Sequence, residues 1–403
     1  MEISIGVSIE KDPASAAREA LKEAIKNLSS DSKISLAIAF SSIDLAGTAI
    51  LKTIGDSLAN TPVIGCSGAA VISNKGIFKH GLALMLLCCP KGTSLNAASA
   101  SEIKSKSSLE AGRELGEKLL SGFKDTRRDL SIVFSDGLIE DSSGLIHGLE
   151  EKLGMSFPTI GCAASDNLNF LRTYLFLNQN LLADSAVGVL LGGGKLHFSM
   201  GIRHGWKPLG KPREVTFSKG NLVLEIDGQS AAKIYEEYLA RKITELKKEL
   251  KNFSILYPLG IYLPGEDEYL LRNIISIEHN GALRFQGDVP QGSQVRLMIG
   301  TRTSCLIAAK EAAEEAKAGL FNPYLNNRSP KKYFVLLFDS IFRNLLLSRE
   351  ANKELEIIKK VFGQDIPIIG LYTYGEYAPL KALNYRGKIY AHNQGVAMLA
   401  IGE

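Results

Sequence analysis

Three short apolar runs recur along the chain and end alike: LAIAFSS (Leu36–Ser42), LSIVFSD (Leu130–Asp136) and FVLLFDS (Phe334–Ser340). Each has the length and boundaries of a buried strand. A helical stretch follows each, and then Pro-x-Ile-Gly or a close variant: TPVIGCS (Thr61–Ser67), FPTIGCA (Phe157–Ala163) and IPIIGLY (Ile366–Tyr372). The spans from Phe40 to Gly65, Phe134 to Gly161 and Phe338 to Gly370 hold a strand, one crossover helix and a second, parallel strand. A loop and a hairpin-like pair of strands complete each unit, which closes on GLALMLL (Gly81–Leu87), AVGVLLGGG (Ala186–Gly194) or GVAMLAIGE (Gly395–Glu403).

Parallel pairs joined through helices, with antiparallel hairpins after them, predict an α/β (α+β mixed) protein with mixed sheets and outer helices. The middle of the chain reads as a degenerate fourth unit: a strand and helix in Leu222–Leu250, an echo of the Pro-x-x-Gly strand in Tyr257–Leu263, and turn-punctuated strand in Asn280–Gly300. Trp206–Asn221 is rich in Pro, Gly and charge and reads as a connector, which predicts two duplicated domains, 1–215 and 216–403. Ala316–Lys332 reads as a long polar loop, and Ser94–Ser108 as a strand and turn before a helix at Leu109–Leu120.

Composition narrows the function. Apolar residues make up 45% of the 403 residues and charged residues 22%, as in an ordinary globular protein. A net charge of +4 without basic blocks gives no electrostatic case for nucleic acid or an anionic membrane. The first residues lack the pattern of a signal peptide, and the longest uncharged apolar stretch, Gly81–Pro90, is too short to span a bilayer. Five cysteines without a CxxC pair suit a reducing compartment. A cytoplasmic protein without membrane insertion is the expectation. The histidines show no metal-ligand spacing, and neither a phosphate loop nor a nucleophile elbow is present, so no metal, cofactor or catalytic set is assigned.

The densest polar cluster is in the last unit, where Leu337–Asn344, Gly370–Pro379 and Tyr390–Gly395 all fall at or just after strand ends. Ligands of open α/β sheets bind at such carboxyl ends. Asp339, Ser340, Arg343, Tyr372, Tyr374, Glu376, His392, Asn393 and Gln394 are therefore candidates for one cleft. The equivalent loops of the first half add Ser67, Asp166 and Arg172, with Cys66, Asn167 and Asn178 nearby. An amino-acid-sized ligand has natural partners in this set. Arg343 offers a fork for a carboxylate, Glu376 or Asp339 an acceptor for an ammonium, and the two tyrosines apolar faces with polar tips. Two readings stay open at these positions. Arg343 is equally suited to a buried ion pair with Asp339 or Glu376, Asp166 and Arg172 to a surface pair, and His392–Gln394 to capping a turn. Cys66 and Cys162, at matching repeat positions, suit small buried core residues or a thiol pair.

Gly-Leu-Tyr-Thr-Tyr-Gly-Glu-Tyr-Ala-Pro (Gly370–Pro379) followed by His-Asn-Gln (His392–Gln394) resembles the C-terminal domain of the FIST family, the F-box and intracellular signal transduction proteins. GCSGAAV (Gly65–Val71), SDGL (Ser135–Leu138) and Gly161–Leu191 resemble its N-terminal domain, so the likeness runs from about residue 30 to residue 403. The resemblance implies a sensory, signal-transducing protein whose small ligand is an amino acid or similar metabolite and whose signal passes to a separate partner protein. The alternative is a hydrolase or transferase using the same cleft, with Ser340, Cys66, Cys162, Glu376 and His392 as its candidates.

Overall fold

The computed structural model describes residues 1–266, 268–322, 329–380 and 388–403. The three repeated runs form the central strands of three six-stranded sheets with one common order. In sheet one that order is Glu2–Ser8, Leu82–Cys88, Leu36–Ser42, Val63–Gly68, Leu175–Leu177 and Asn180–Leu182. Sheet two runs Ser94–Ser101, Ser185–Gly192, Arg128–Ser135, Thr159–Ala163, Gly375–Pro379 and Ile389–His392. Sheet three runs His197–Arg203, Val396–Gly402, Tyr333–Ser340, Ile368–Thr373, Val71–Ser73 and Gly76–Phe78. Each central strand is parallel to the strand after its helix and antiparallel to its closing strand, so all three sheets are mixed.

The last two strands of every sheet come from another unit. The hairpin of the first unit joins sheet three, that of the second joins sheet one, and that of the third joins sheet two. The exchange closes on itself in a ring of three.

Strand alternation explains how the sheets are buried. Leu36, Ile38 and Phe40, then Leu130, Ile132 and Phe134, then Phe334, Leu336 and Phe338 all face one shared core. At its centre the repeated phenylalanines form a triangle of edge-to-face rings, with centroids 5.5 Å (Phe40–Phe134), 5.9 Å (Phe134–Phe338) and 6.1 Å (Phe40–Phe338) apart. The opposite face of each sheet is covered by a pair of helices: Pro13–Lys26 with Thr48–Ser57, Ser108–Leu120 with Ser142–Leu153, and Arg302–Leu320 with Ala351–Phe362. The glycine of each Pro-x-Ile-Gly element abuts its parallel neighbour. A Cβ on Gly65, Gly161 or Gly370 would come within 1.8, 1.7 or 2.0 Å of the carbonyl of Ala39, Val133 or Leu337. Close backbone approach, shared by three units, is why that motif recurs.

The middle of the chain departs from the expected fourth unit. It is a separate antiparallel sheet, inserted between His197–Arg203 and the helix Arg302–Leu320. Its strands follow the order Leu270–Arg272, Leu259–Ile261, Gln294–Ile299, Lys207–Lys219, Leu222–Ile226, Leu283–Phe285 and Ile274–Ile277, with Gln229–Ser230 beside Leu222–Ile226. The expected connector is thus largely a strand, and residues 215 and 216 both lie inside it. Register shifts between Leu209 and Arg213 and again beyond Val215 accommodate its glycine and second proline. The expected loop from Ala316 begins five residues later, because Ala309, Ala312, Ala313 and Ala316 extend a buried helical stripe to Leu320. Residues 323–328 of that loop lie outside the described residues.

Candidate functional site

Polar side chains follow the phenylalanine triangle in each unit: Ser41 and Ser42, Ser135 and Asp136, Asp339 and Ser340, all buried. Hydroxyls near these strand ends stitch the exchanged segments together. The Ser165 hydroxyl accepts from the Ala69 amide (2.9 Å) and donates to the Tyr372 carbonyl (2.6 Å), joining three units. Ser67 Oγ donates to the Ser165 carbonyl (3.2 Å) and accepts from the Tyr174 amide (3.1 Å). Ser135 Oγ bonds the Tyr377 hydroxyl. Ser340 caps the helix Ile341–Leu347, its side chain accepting from the Phe342 amide (3.4 Å).

Arg343 is wholly buried. Its Nε donates to Asp339 (2.9 Å), Nη1 to the His204 carbonyl, and Nη2 to the Cys305 carbonyl (3.0 Å) and the Glu354 carboxylate. Two acids thus share one guanidinium. Burial, together with Glu354, pushes the Asp339 carboxyl well above its ordinary range. The internal ion pair left open by the sequence is the one present, with Glu354 as the second acid.

Glu376 stands apart from that pair. Thr373 Oγ1 lies 2.7 Å from its Oε1, and the Gly395 amide donates to Oε2 (2.8 Å). Burial lifts its pKa to about 8. Thr373 Oγ1 donates to Oε1 and also lies 3.2 Å from the Asp339 carbonyl, an alternative acceptor for the same proton. Cys162, opposite Glu376 in the sheet register, touches Cys66; burial raises the Cys162 thiol well above its usual value, and both cysteines are core residues.

Asp166 organises a loop. Its carboxylate accepts from the amides of Phe170 (2.8 Å), Leu171 (2.7 Å) and Arg172 (3.0 Å), and from the Tyr374 hydroxyl. Burial alone would raise Asp166, but these donors hold it below the usual carboxylate value. Asn167, Leu168 and Phe170 all sit at positive φ, an uncommon backbone for side-chain-bearing residues. The loop lays the Phe170 ring flat on Tyr374, centroids 4.7 Å apart, while Phe170 and Leu171 remain 51% and 79% exposed. Arg172 is exposed, its guanidinium 6.0 Å from the Tyr174 ring; Asp166 meets its backbone amide rather than its side chain. Asn178, at a hairpin turn, accepts from the Val63 amide (3.2 Å).

The His-Asn-Gln segment joins the inserted sheet to the rest. The His392 ring, held neutral by burial with its pKa near 3, bonds through Nε2 to the Ala378 carbonyl (2.9 Å); no hydrogen bond links it to a serine or cysteine among the described residues. Asn393 Oδ1 accepts from the Asn273 amide (3.2 Å), and Gln394 donates to the Asn273 side chain. Gln286, also of the inserted sheet, donates to the Tyr374 carbonyl (3.1 Å). Tyr372, Tyr374 and Tyr377 are buried beside this joint.

Sequence reasoning missed Arg272. This residue, 3% exposed, donates from Nε to the Asp288 carbonyl (3.0 Å) and from Nη1 to the carbonyls of Leu271 and Ala391 (both 2.9 Å). No carboxylate pairs with it among the described residues, and burial lowers its pKa to about 10. Nothing in LLRN (Leu270–Asn273) separates this arginine from one on a surface.

The structure therefore brings Asp339, Ser340, Arg343, Tyr372 and Glu376 into one buried network, places Asp166 and Tyr374 under an exposed loop, and assigns His392, Asn393 and Gln394 to a joint. Surface grooves of about 270 to 680 Å³ lie elsewhere, the 680 Å³ one between the helices Arg302–Leu320 and Ala351–Phe362. Among the described residues no helix is long and apolar enough to cross a membrane, and no cluster of three or more His, Cys, Asp or Glu could hold a metal ion.

An uncharacterized protein of Mycobacterium tuberculosis is 23% identical over 394 residues, covering 95% of this chain and 96% of that protein. An uncharacterized protein of Methanocaldococcus jannaschii is 26% identical over 255 residues, covering 59% of this chain and 48% of the relative. Among solved structures, cyanuric acid hydrolase from A. caulinodans aligns with a TM-score of 0.40 at 8% identity, over 99% of this chain and 98% of its own. The FIST N domain matches residues 35–229 and the FIST C domain residues 231–379, and the chain belongs to the FIST family.

Proposed function

We propose that this protein is a cytoplasmic small-molecule sensor that passes its ligand-bound state to a separate signalling partner. FIST domains are associated with signal transduction and ligand sensing. The observation that carries the reading here is the loop from Asp166 to Arg172. A cover held by one carboxylate, with three residues at positive φ and an exposed aromatic ring stacked on the signature Tyr374, is built to be displaced. An amino acid or similar metabolite would replace the Phe170 ring and the hydroxyl–carboxylate contact of Tyr374 with Asp166. Arg172 would stand at the mouth. Ser67, Asp339, Ser340, Arg343, Tyr372 and Glu376 form the buried support behind it, and His392, Asn393 and Gln394 couple it to the inserted sheet. In this reading the N-terminal FIST-like part, 1–215, supplies the cover and the C-terminal part, 216–403, supplies the signature beneath it.

The test is a thermal-shift screen of the full chain against amino acids, nucleotides, sugars and common metabolites. A ligand at about 100 times its Kd stabilises a fold by about 2.7 kcal/mol, a shift of several degrees. Tyr374→Phe keeps the ring and removes the hydroxyl, so a hit should bind it roughly tenfold more weakly, in line with a lost charge-assisted hydrogen bond. A panel without a hit would overturn the proposal. A hit indifferent to both Tyr374→Phe and Phe170→Ala would move the site elsewhere.

A further inference from the structure

The two buried arginines on either side of the family signature differ in what they have left to give. Arg343 spends its donors on two carboxylates and two carbonyls inside the core. Arg272 meets only backbone carbonyls, through Nε and Nη1; its Nη2 makes no hydrogen bond among the described residues and is not one of their fully buried unpaired atoms, so it keeps a last sliver of exposure to solvent. A guanidinium almost wholly removed from water and lacking an ion pair is costly, and the cost falls when an oxyanion docks on its one unbonded nitrogen, Nη2.

The surroundings suit such a guest. Gly287, at φ +102°, lies against the guanidinium, and a Cβ there would come 3.1 Å from Nε. A side chain at that position would crowd the group. Asp288 is the carboxyl that acts on Arg272 through space, yet no ion pair forms. Burial and the charge of Asp141, at the N-cap of helix Ser142–Leu153, raise the Asp288 carboxyl above its ordinary value, against the pull of Arg272. Arg272 also sits where three parts of the fold meet. Its own strand belongs to the inserted sheet, Ala391 to the exchanged hairpin of the third unit, and Asp141 to the second unit. Gln286, next to Gly287, reaches the Tyr374 carbonyl from the same side.

We infer that Arg272, rather than Arg343, is the anion-binding residue of this protein, and that it takes the oxyanion, carboxylate or phosphate, of a small molecule entering the seam between the inserted sheet and the Tyr374 loop. The inference rests on the sensor reading for its biological sense, but its chemistry stands on the seam itself.

The experiment compares thermal midpoints of the full wild-type chain, Arg272→Met and Arg272→Lys in chloride, propionate and inorganic phosphate at equal ionic strength. Phosphate stabilises many proteins by exclusion from their surface, so the readout is the difference between wild type and variant. The expected result is a wild-type rise over chloride in one oxyanion arm that is lost in Arg272→Met. The arm that responds names the source, carboxylate or phosphate. Arg272→Lys keeps the charge and loses the Nη2 donor, and most of the rise should go with it; this variant decides the matter if Arg272→Met fails to fold. Equal rises in wild type and variants, or none in either arm, would overturn the assignment. The two proposals fail separately. A metabolite from the screen that binds wild type and Arg272→Met alike removes Arg272 and leaves the sensor. A phosphate or propionate response lost in the variants, with no hit in the screen, does the reverse.

Discussion

Arg343 and Arg272 are the same residue type at nearly the same depth, and the fold treats them in opposite ways. Around Arg343, Asp339 and Glu354 supply negative charge and the carbonyls of His204 and Cys305 supply acceptors, so the cation is neutralised within the core. Around Arg272 the fold supplies carbonyl acceptors and no ion pair, with Asp288 acting only through space. The first arrangement holds elements together. The second leaves an electrostatic demand that something outside the chain can meet. Depth alone does not mark a structural residue; the sign of what surrounds it does.

Removing the cation from the neutralised cluster should have the largest effect. Arg343→Met strands two buried acids, and breaking such a pair costs about 3–5 kcal/mol. Urea denaturation should show that loss, with partial recovery when Asp339→Asn and Glu354→Gln are added. A loss under about 1 kcal/mol would erase the contrast between the two sites.

Arg272→Met should cost less, about 1–3 kcal/mol, because it strands neutral carbonyls instead of charges. The same denaturation series measures it, and a cost equal to that of Arg343→Met would show that Arg272 is equally structural.

Glu376 sharpens the comparison through pH. The folded state holds its proton up to about pH 8, whereas the unfolded chain releases it near 4.5. Between those values the native state binds more protons, so this group's contribution to stability falls as pH rises from about 4.5 to about 8 and is lost above that range. Glu376→Gln preserves the hydrogen bonds to Thr373 and Gly395 without the titration. Its stability should vary less over that interval than wild type, and identical pH profiles would refute a protonated Glu376.

The smallest change is expected at the cover. Phe170→Ala forfeits an aromatic stack worth about 0.5–1.5 kcal/mol. It should also speed proteolysis of the Asp166–Arg172 loop. Unchanged cleavage would mean that the ring does not hold the loop down.

Much of the fold was legible because local sequence dictates it. The alternation of LAIAF, LSIVF and FVLLF sets which side chains reach the shared core, and the Pro-x-Ile-Gly glycines mark where two backbones touch. The exchange of hairpins was not legible. An apolar three-residue strand such as Val71–Ser73 fits any open sheet edge, and only the assembled fold decides which. The inserted sheet was misread in part because Pro208, Gly210 and Pro212 signal a loop, while the register shifts that let a strand carry them have no signature of their own. At the site, clustering pointed to Asp339, Arg343 and Glu376 for one cleft, and the structure places them in a buried network instead; the strand-end rule brought in Asp166 and Tyr374. Arg272 escaped because its distinction is a missing ion pair, which belongs to tertiary neighbours and not to its own segment.

The ring of exchanged hairpins also governs how the protein can be divided. None of the three six-stranded sheets is complete without residues from another repeat. A chain cut between repeats leaves bare strand edges on both products, and such edges recruit other chains. Assembly is therefore all or none: three repeats close the circle, and two leave one lender without a borrower. A disturbance at any one strand end is felt by every repeat at once, which suits a molecule whose task is to report a single event as a single answer.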